Sequence, residues 1–267
     1  MAKFESYEQG TPSWVELMTP DQQAAKDFYG QLFGWDVETN PIDDQGNVYM
    51  TGRKEGGAVA GIAGQMPEMA GHPAFWGVYL AVDDVDDATS KVAAAGGKVE
   101  AEPFDVMDLG RMALLQDPTG ARVNLWQAKE HIGTERANEP GTPVWNELVT
   151  PDVEAAVPFY ENVLGMGVEK RDMGEEAGGE YTCLTVGGKV VGGACPPPME
   201  GLPPHWNVYF GVDDADASVA KAEQLGGKVV APAFDVPGVG RMAALSDPQG
   251  AMFNLMQGPP QDEAGQG

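Results

Sequence analysis

Two glutamates share one local context: Trp14-Val-Glu16-Leu-Met-Thr-Pro-Asp21 and Trp145-Asn-Glu147-Leu-Val-Thr-Pro-Asp152. Each carboxylate lies two residues from a tryptophan in a run of strand-forming residues, so period-2 alternation puts Trp and Glu on one face. Burial beside an indole would raise a carboxyl pKa and suit it to proton transfer. The plainer alternative is a strand carboxylate that is paired with an arginine or solvated. A second polar group recurs late in each half, Asn124 and Asn254 in matching Asn-Leu-x-Gln stretches. Either amide could bind a ligand or satisfy backbone at a sheet edge. Arg122, Asn124 and Trp126 share one face, as do Met252, Asn254 and Met256. If these faces point inward, each cavity is lined by aromatic or methionine side chains with one carboxylate and one amide. Such a lining suits a flat, largely apolar small molecule with a few polar handles. The candidate acid–base residues are therefore Glu16 and Glu147. The candidate ligand-binding residues are Trp14, Tyr79, Arg122, Asn124, Trp126, Trp145, Asn207, Tyr209, Asn254 and Met256. Tyr79, Tyr209 and Asn207 depend on the register of the strands that carry them. The tryptophans could equally serve module packing, and Arg111 and Arg241 read as ion pairs with Asp105 and Asp235.

The elements that must position these residues come in repeats. GTPSWVELMTPD from Gly10 returns as GTPVWNELVTPD from Gly141, and FDV, GRMA, DPxGA and NLxQ recur in both halves. Each half also repeats internally: Trp14, Asp21 and Gly34 fall on Trp76, Asp83 and Gly96, and Trp145, Asp152 and Gly165 on Trp206, Asp213 and Gly226. The chain reads as four copies of one module. In the first copy a strand at Trp14–Met18 leads through Thr-Pro-Asp into a helix with apolar positions at Ala24, Ala25, Phe28, Tyr29, Leu32 and Phe33, closed by Gly34. A strand from Trp35 and a hairpin around residues 55–57 follow. The order is βαβββ. The second copy places a helix over Ala88–Ala95 and a tight turn at Asp117-Pro118-Thr119-Gly120. Pro158 should kink the third helix or delay its start. The expected class is α+β, with residues 1–130 and 141–257 as two homologous domains, 131–140 as a linker and 258–267 as a disordered tail.

Composition narrows the partners. The 267 residues hold 16 Lys+Arg against 41 Asp+Glu, a net charge of −25. Acidity spread over both halves leaves no basic face for nucleic acid or an anionic membrane. No apolar run is long enough to span a bilayer and the N-terminus lacks a signal core, so a cytoplasmic protein is expected. Cys183 and Cys195 fall on adjoining strands but not opposite each other, and read as reduced thiols. His72, His131 and His205 are too scattered for a zinc motif.

Paired βαβββ modules, FYxxLFGW and FYxxVLGM at the first helix ends, and DPxGxxxNL late in each half resemble the vicinal oxygen chelate superfamily of glyoxalases, bleomycin-resistance proteins and extradiol dioxygenases. The tandem form with GTPxWxELxTPD is most similar to actinobacterial glyoxalase-like proteins. The resemblance covers nearly the whole chain and implies two cupped sheets, each enclosing a ligand cavity. It also implies a divalent metal held by His, Gln or Glu from four inward positions. Here those positions carry Trp14 and Trp145; Trp76 or Gly77 and Trp206 or Asn207; Ala60-Gly61-Ile62 and Val191-Gly192-Gly193; and Asn124 and Asn254. The metal quartet is thus expected to be missing from both domains. The expectation is a small-molecule-binding protein without cofactor, monomeric or homodimeric. The alternative is a lyase, isomerase or oxidoreductase that uses Glu16 and Glu147, or a relocated divalent metal.

Overall fold

The computed structural model describes residues 2–66, 69, 71–174 and 179–259. Most of the expected tail, residues 260–267, lies outside them. The first half runs β1 (Ala2–Lys3), β2 (Pro12–Thr19), α1 (Gln22–Phe33), β3 (Asp36–Pro41), β4 (Val48–Lys54), β5 (Gly57–Gly64), β6 (Phe75–Ala81), α2 (Val85–Lys91), β7 (Lys98–Val106), β8 (Gly110–Gln116) and β9 (Arg122–Ala128). A connecting strand, β10 (Arg136–Ala137), leads to β11 (Pro143–Val149), α3 (Val153–Leu164), β12 (Gly167–Asp172), β13 (Glu180–Val186) and β14 (Lys189–Cys195). The chain ends with β15 (His205–Gly211), α4 (Ala215–Gln224), β16 (Lys228–Val236), β17 (Gly240–Ser246) and β18 (Met252–Gln257).

Each half makes one eight-stranded sheet, in the orders β3-β4-β5-β2-β6-β9-β8-β7 and β12-β13-β14-β11-β15-β18-β17-β16. The first strands of the two modules, β2 with β6 and β11 with β15, pair antiparallel at the centre of each sheet. The architecture is the expected α+β arrangement of four βαβββ modules in two sheets. An aspartate caps every helix: Asp21, Asp84, Asp152 and Asp214 each accept a hydrogen bond from the amide three residues on. This satisfies a free amide of the first turn. Gly34 and Gly165 close α1 and α3 in the left-handed conformation.

Two helix expectations need correction. The third helix starts on time at Val153 and continues through Pro158 to Leu164. The second is displaced toward the N-terminus, Val85–Lys91 in place of Ala88–Ala95. Beyond it Val92 and Gly96 donate to carbonyls three residues back, so the chain tightens before Gly96 turns it. The connector between the halves is hydrogen-bonded along its course. Ala2–Lys3 pairs with Arg136–Ala137, and the amides of Thr134 and Glu135 donate to the carbonyls of Ser13 and Ala58. Residues 131–137 therefore lie along the first sheet.

One apolar core runs through both halves. Phe28 and Phe33 of α1 meet Phe253 and Phe210 of the second half edge-on or tilted. Two reciprocal chains cross the boundary. Trp76 Nε1 donates to Tyr29, which donates to Asp247 at 3.0 Å; Trp206 Nε1 donates to Tyr160, which donates to Asp117 at 3.0 Å. The other oxygen of each aspartate accepts amides of its own DPxG turn. The motif that reads as a turn thus also locks each half to the tyrosine of the other half's first helix. Among the described residues no helix is long and apolar enough to cross a membrane.

Candidate functional site

A bulge between Pro12 and Trp14 in β2 recurs between Pro143 and Trp145 in β11. A bulge re-aims the side chains that follow it. Beyond it Trp14 sits opposite Tyr79, and Trp145 opposite Tyr209. The register is now fixed: Glu16 faces Gly77 on one side and Gly61 on the other, and Tyr79 pairs with Asn124. In the second sheet Glu147 faces Asn207 and Gly193, and Tyr209 pairs with Asn254.

Both glutamates are held by the same clamp. Tyr49 donates to Glu16 Oε2 at 2.7 Å and Tyr79 to Oε1 at 2.8 Å, while Trp14 Nε1 donates to the Tyr49 oxygen at 3.0 Å. Tyr181 donates to Glu147 Oε1 at 2.6 Å, Tyr209 to Oε2 at 2.7 Å, and Trp145 Nε1 to the Tyr181 oxygen at 3.2 Å. Glycine is required beneath each clamp. A Cβ at Gly61 would strike the Tyr49 hydroxyl, and one at Gly193 the Tyr181 hydroxyl. Burial pushes the Glu16 carboxyl above its ordinary value, and the two tyrosine hydrogen bonds pull it partway back. Tyr49, Tyr79 and Tyr209 are all held well above the ordinary phenol value, first by burial and then by the carboxylate they serve. Sequence reasoning missed Tyr49 and Tyr181. A tyrosine opening a similar strand in both halves was the available signal.

The two cups differ in what surrounds the clamp. In the first, Trp14, Tyr79 and Trp126 are buried and cluster with Ala58, Val106 and Met112. His131 from the connector lies edge-on to Trp14 with centroids 4.6 Å apart and reaches Trp126 at 5.8 Å. Trp126 Nε1 donates to the His131 carbonyl at 2.8 Å. Burial lowers the imidazole pKa, which keeps the ring neutral near pH 7, and its Nε2 is buried without a hydrogen-bond partner among the described residues. Arg122 does not join this cluster. It is exposed at the start of β9 and pairs with Glu100 at 2.7 Å. Asn124 packs against the space left by Gly77.

In the second cup the carboxylate is the more buried, Glu147 being buried where Glu16 is half-buried, while the flanking side chains are less so. Trp145, Tyr181, Asn254 and Met256 are half-buried. Cys195 adds a thiol near Glu147, and burial followed by that carboxylate holds the thiol well above its ordinary value. It is therefore not an activated nucleophile. His205 Nε2 lies 3.1 Å from Asn207 Oδ1, and Asn207 sits opposite Glu147. Asn254 Nδ2 makes a long contact, 3.5 Å, with the Val208 carbonyl. Outside both cups, Arg111 and Arg241 bind Asp86 and Asp216 through two nitrogens each and reach Asp105 and Asp235 at 3.7 and 3.1 Å. The expected partners are present, but the principal ones are helix aspartates.

At the positions where the resemblance implies metal ligands, the structure puts Trp14, Gly77, Gly61 and Asn124, with Trp145, Asn207, Gly193 and Asn254 in the second half. Both oxygens of each nearby glutamate already accept tyrosine hydroxyls. Among the described residues no three His, Cys, Asp or Glu side chains converge as a metal site. Indole and glycine cannot ligate and a neutral amide is a weak donor, so this set does not fit a resident divalent transition metal.

Comparison with known proteins bears on this geometry. The family described as the Glyoxalase/Bleomycin resistance protein/Dioxygenase superfamily matches residues 11–125 and 142–255. The chain is 50% identical over 262 residues to a protein named putative glyoxylase CFP32 from Mycobacterium tuberculosis, covering 98% of this chain and 100% of that one. It is 38% identical over 261 residues to the anthracycline biosynthesis protein DnrV of Streptomyces peucetius, 93% of each. Among solved structures, the 2,3-dioxygenase LapB from Pseudomonas sp. KL28 matches with a TM-score of 0.65 at 16% identity, covering 96% of both chains. The Mn(II)-bound glyoxalase from Novosphingobium aromaticivorans matches with a TM-score of 0.63 at 19% identity, covering 94% of this chain and 82% of that one. At such identities these likenesses concern the fold.

Proposed function

The chain belongs to the Glyoxalase/Bleomycin resistance protein/Dioxygenase superfamily, and on that footing we propose that it binds a small, flat, largely apolar molecule in its cupped sheets without a resident metal. The observation that carries this reading is the Glu–Tyr–Tyr clamp, set in both cups among tryptophan and methionine side chains. A carboxylate oxygen retains acceptor capacity beyond one tyrosine hydroxyl, so Glu147 can still receive a ligand hydroxyl. Asn207 and Asn254 supply amide groups beside it, and Met256 an adaptable apolar wall. The name of the Streptomyces relative supports an aromatic, polycyclic ligand class.

The test is calorimetric titration of chelator-treated protein with an anthracycline aglycone. The reading expects saturable binding that does not need added Mn(II) or Fe(II), weakened about tenfold or more by Glu147→Gln. Binding that appears only with metal, or that ignores Glu147→Gln, would refute it.

One observation favours a second reading, general acid–base catalysis at Glu16. Burial raises its carboxyl toward the range useful for proton transfer. On that reading Glu16→Gln removes turnover and leaves binding intact.

A further inference from the structure

We propose that His205 is a specificity-determining residue of the second cup: its ring proton sets whether Asn207 offers the ligand an amide N–H or an amide oxygen. The role depends on that cup being the ligand site, as proposed above. Both ring nitrogens of His205 face oxygens, Nδ1 the Pro203 carbonyl at 2.8 Å and Nε2 the Asn207 Oδ1 at 3.1 Å. A carbonyl only accepts, so Nδ1 carries a proton in either charge state. An imidazolium also donates through Nε2 to Oδ1, which leaves Nδ2 as the outward amide atom. A neutral ring has a bare Nε2, and a half-turn of the amide must bring Nδ2 to it. Oδ1 is then the outward atom.

That outward atom is within reach of a ligand. Asn207 is half-buried, and its Nδ2 makes no hydrogen bond among the described residues yet is not sealed from solvent. Asn207 lies directly opposite Glu147 in the β11–β15 pair, so both side chains leave one face of the sheet. The donors at that carboxylate are committed: Tyr181 and Tyr209 donate to Glu147, and Trp145 Nε1 to Tyr181. Asn207 is the group there whose hydrogen-bonding sense can change. The repeat provides an internal control, because the first half carries Phe75 and Gly77 at these two places. The strands that flank β15 are β11 and β18. On the cup face β11 brings Glu147, with Cys195 and Tyr181 beyond it on β14 and β13, and β18 brings Met252, Asn254 and Met256. The Cys195 thiol and the Tyr181 and Tyr209 phenols are held above their ordinary values and keep their protons near neutrality. Mild acid therefore addresses His205 and Glu147 on this face.

The test is calorimetric titration of the full chain with 2-acetylnaphthalene, whose oxygen only accepts, and with 2-naphthol, whose hydroxyl donates. It is run at about pH 5.5 and about pH 8, on either side of the ordinary imidazole range. The preference for 2-acetylnaphthalene over 2-naphthol should fall about tenfold from the lower pH to the higher. In His205→Phe and in Asn207→Gly, each the residue the first half already uses, this preference should not change with pH. Glu147 is retained in both variants, so any titration of its own appears there as well as in the wild type. A two-bond proton–nitrogen correlation spectrum, with His205 assigned by its loss in His205→Phe, should show Nδ1–H and a bare Nε2 at the higher pH. A ring protonated on Nε2 alone, or the wild-type pH dependence persisting in His205→Phe, would overturn the proposal. So would a wild-type preference that ignores pH while both probes bind, which leaves the reading of the cup intact. Failure of both probes to bind would overturn that reading and this one together.

Discussion

All seven tyrosines of this protein have phenol pKa values pushed above the ordinary 10.0, chiefly by burial. Six of them donate to carboxylates: Tyr49 and Tyr79 to Glu16, Tyr181 and Tyr209 to Glu147, Tyr29 to Asp247 and Tyr160 to Asp117. The prediction is an abrupt alkaline unfolding. A group whose folded pKa is raised contributes stability that is fully present below the unfolded pKa and lost as pH rises above it, because the unfolded chain gives up the proton first. At pH 11, each phenol kept neutral in the fold and free to ionise at 10 in the unfolded chain costs about 1.4 kcal/mol. Seven such groups cost on the order of 10 kcal/mol, comparable with the whole stability of a typical folded protein. Tyrosinate absorbance at 295 nm should therefore stay near its baseline to about pH 10.5. It should then rise in one step that coincides with loss of far-ultraviolet circular dichroism near pH 11. Three or more tyrosines titrating close to pH 10 while the dichroism stays native would refute both the clamps and the inter-half locks.

Three further outcomes follow from particular side chains. Because burial raises the Glu16 carboxyl above its ordinary 4.5, its contribution to stability is lost as pH rises from that value through the folded pKa; denaturant unfolding of Glu16→Gln between pH 4 and 8 should lack this loss. Tyr29→Phe leaves Trp76 Nε1 without its acceptor and Asp247 Oδ2 without its tyrosine donor at the boundary between halves. It should lower stability by about 1–3 kcal/mol, read as a shifted urea midpoint, and Tyr160→Phe should do the same through Trp206 and Asp117. The paired variant Trp126→Met with His131→Ala should open the first cup and raise the number of aglycone sites measured by calorimetry. An unchanged stoichiometry would mean that those two aromatics do not seal it.

Much of the fold was legible because two periods carried it. Alternation placed Trp14, Glu16 and Met18 on one face, and helical spacing from Ala25 to Phe33 picked out the buried stripe of α1. The duplicated strings gave the two halves. The clamp tyrosines were not legible, and the reason is geometric. Tyr49 follows Glu16 by 33 residues and Tyr181 follows Glu147 by 34, so a one-residue difference in loop length takes them out of any ungapped comparison. Arg122 shows the converse limit. Period 2 assigns it to the face of Asn124 and Trp126, but a residue at the mouth of a strand can turn to solvent and find Glu100. His131 escaped because a polar connector gives no periodic signal; what places it is the docking of residues 133–137 on Ser13 and Ala58.

The divergence of the cups follows from that docking. Duplication gave both halves the same carboxylate, the same tyrosine pair and the same glycine beneath them. The segment that follows the first half lies back along its own sheet on its way to the second half. Gly110 makes room for the Trp126 indole, which a Cβ there would strike. The indole in turn is fixed by the His131 carbonyl. In the second half the matching side chain is Met256, half-buried, so the indole that closes the first cup has no counterpart there. A buried clamp sealed by two indoles and an imidazole stabilises the chain. In the second half the same clamp lies beside methionine, Asn207 and a thiol instead. Fusion of the halves therefore supplies a physical reason for the walls of the two cups to differ.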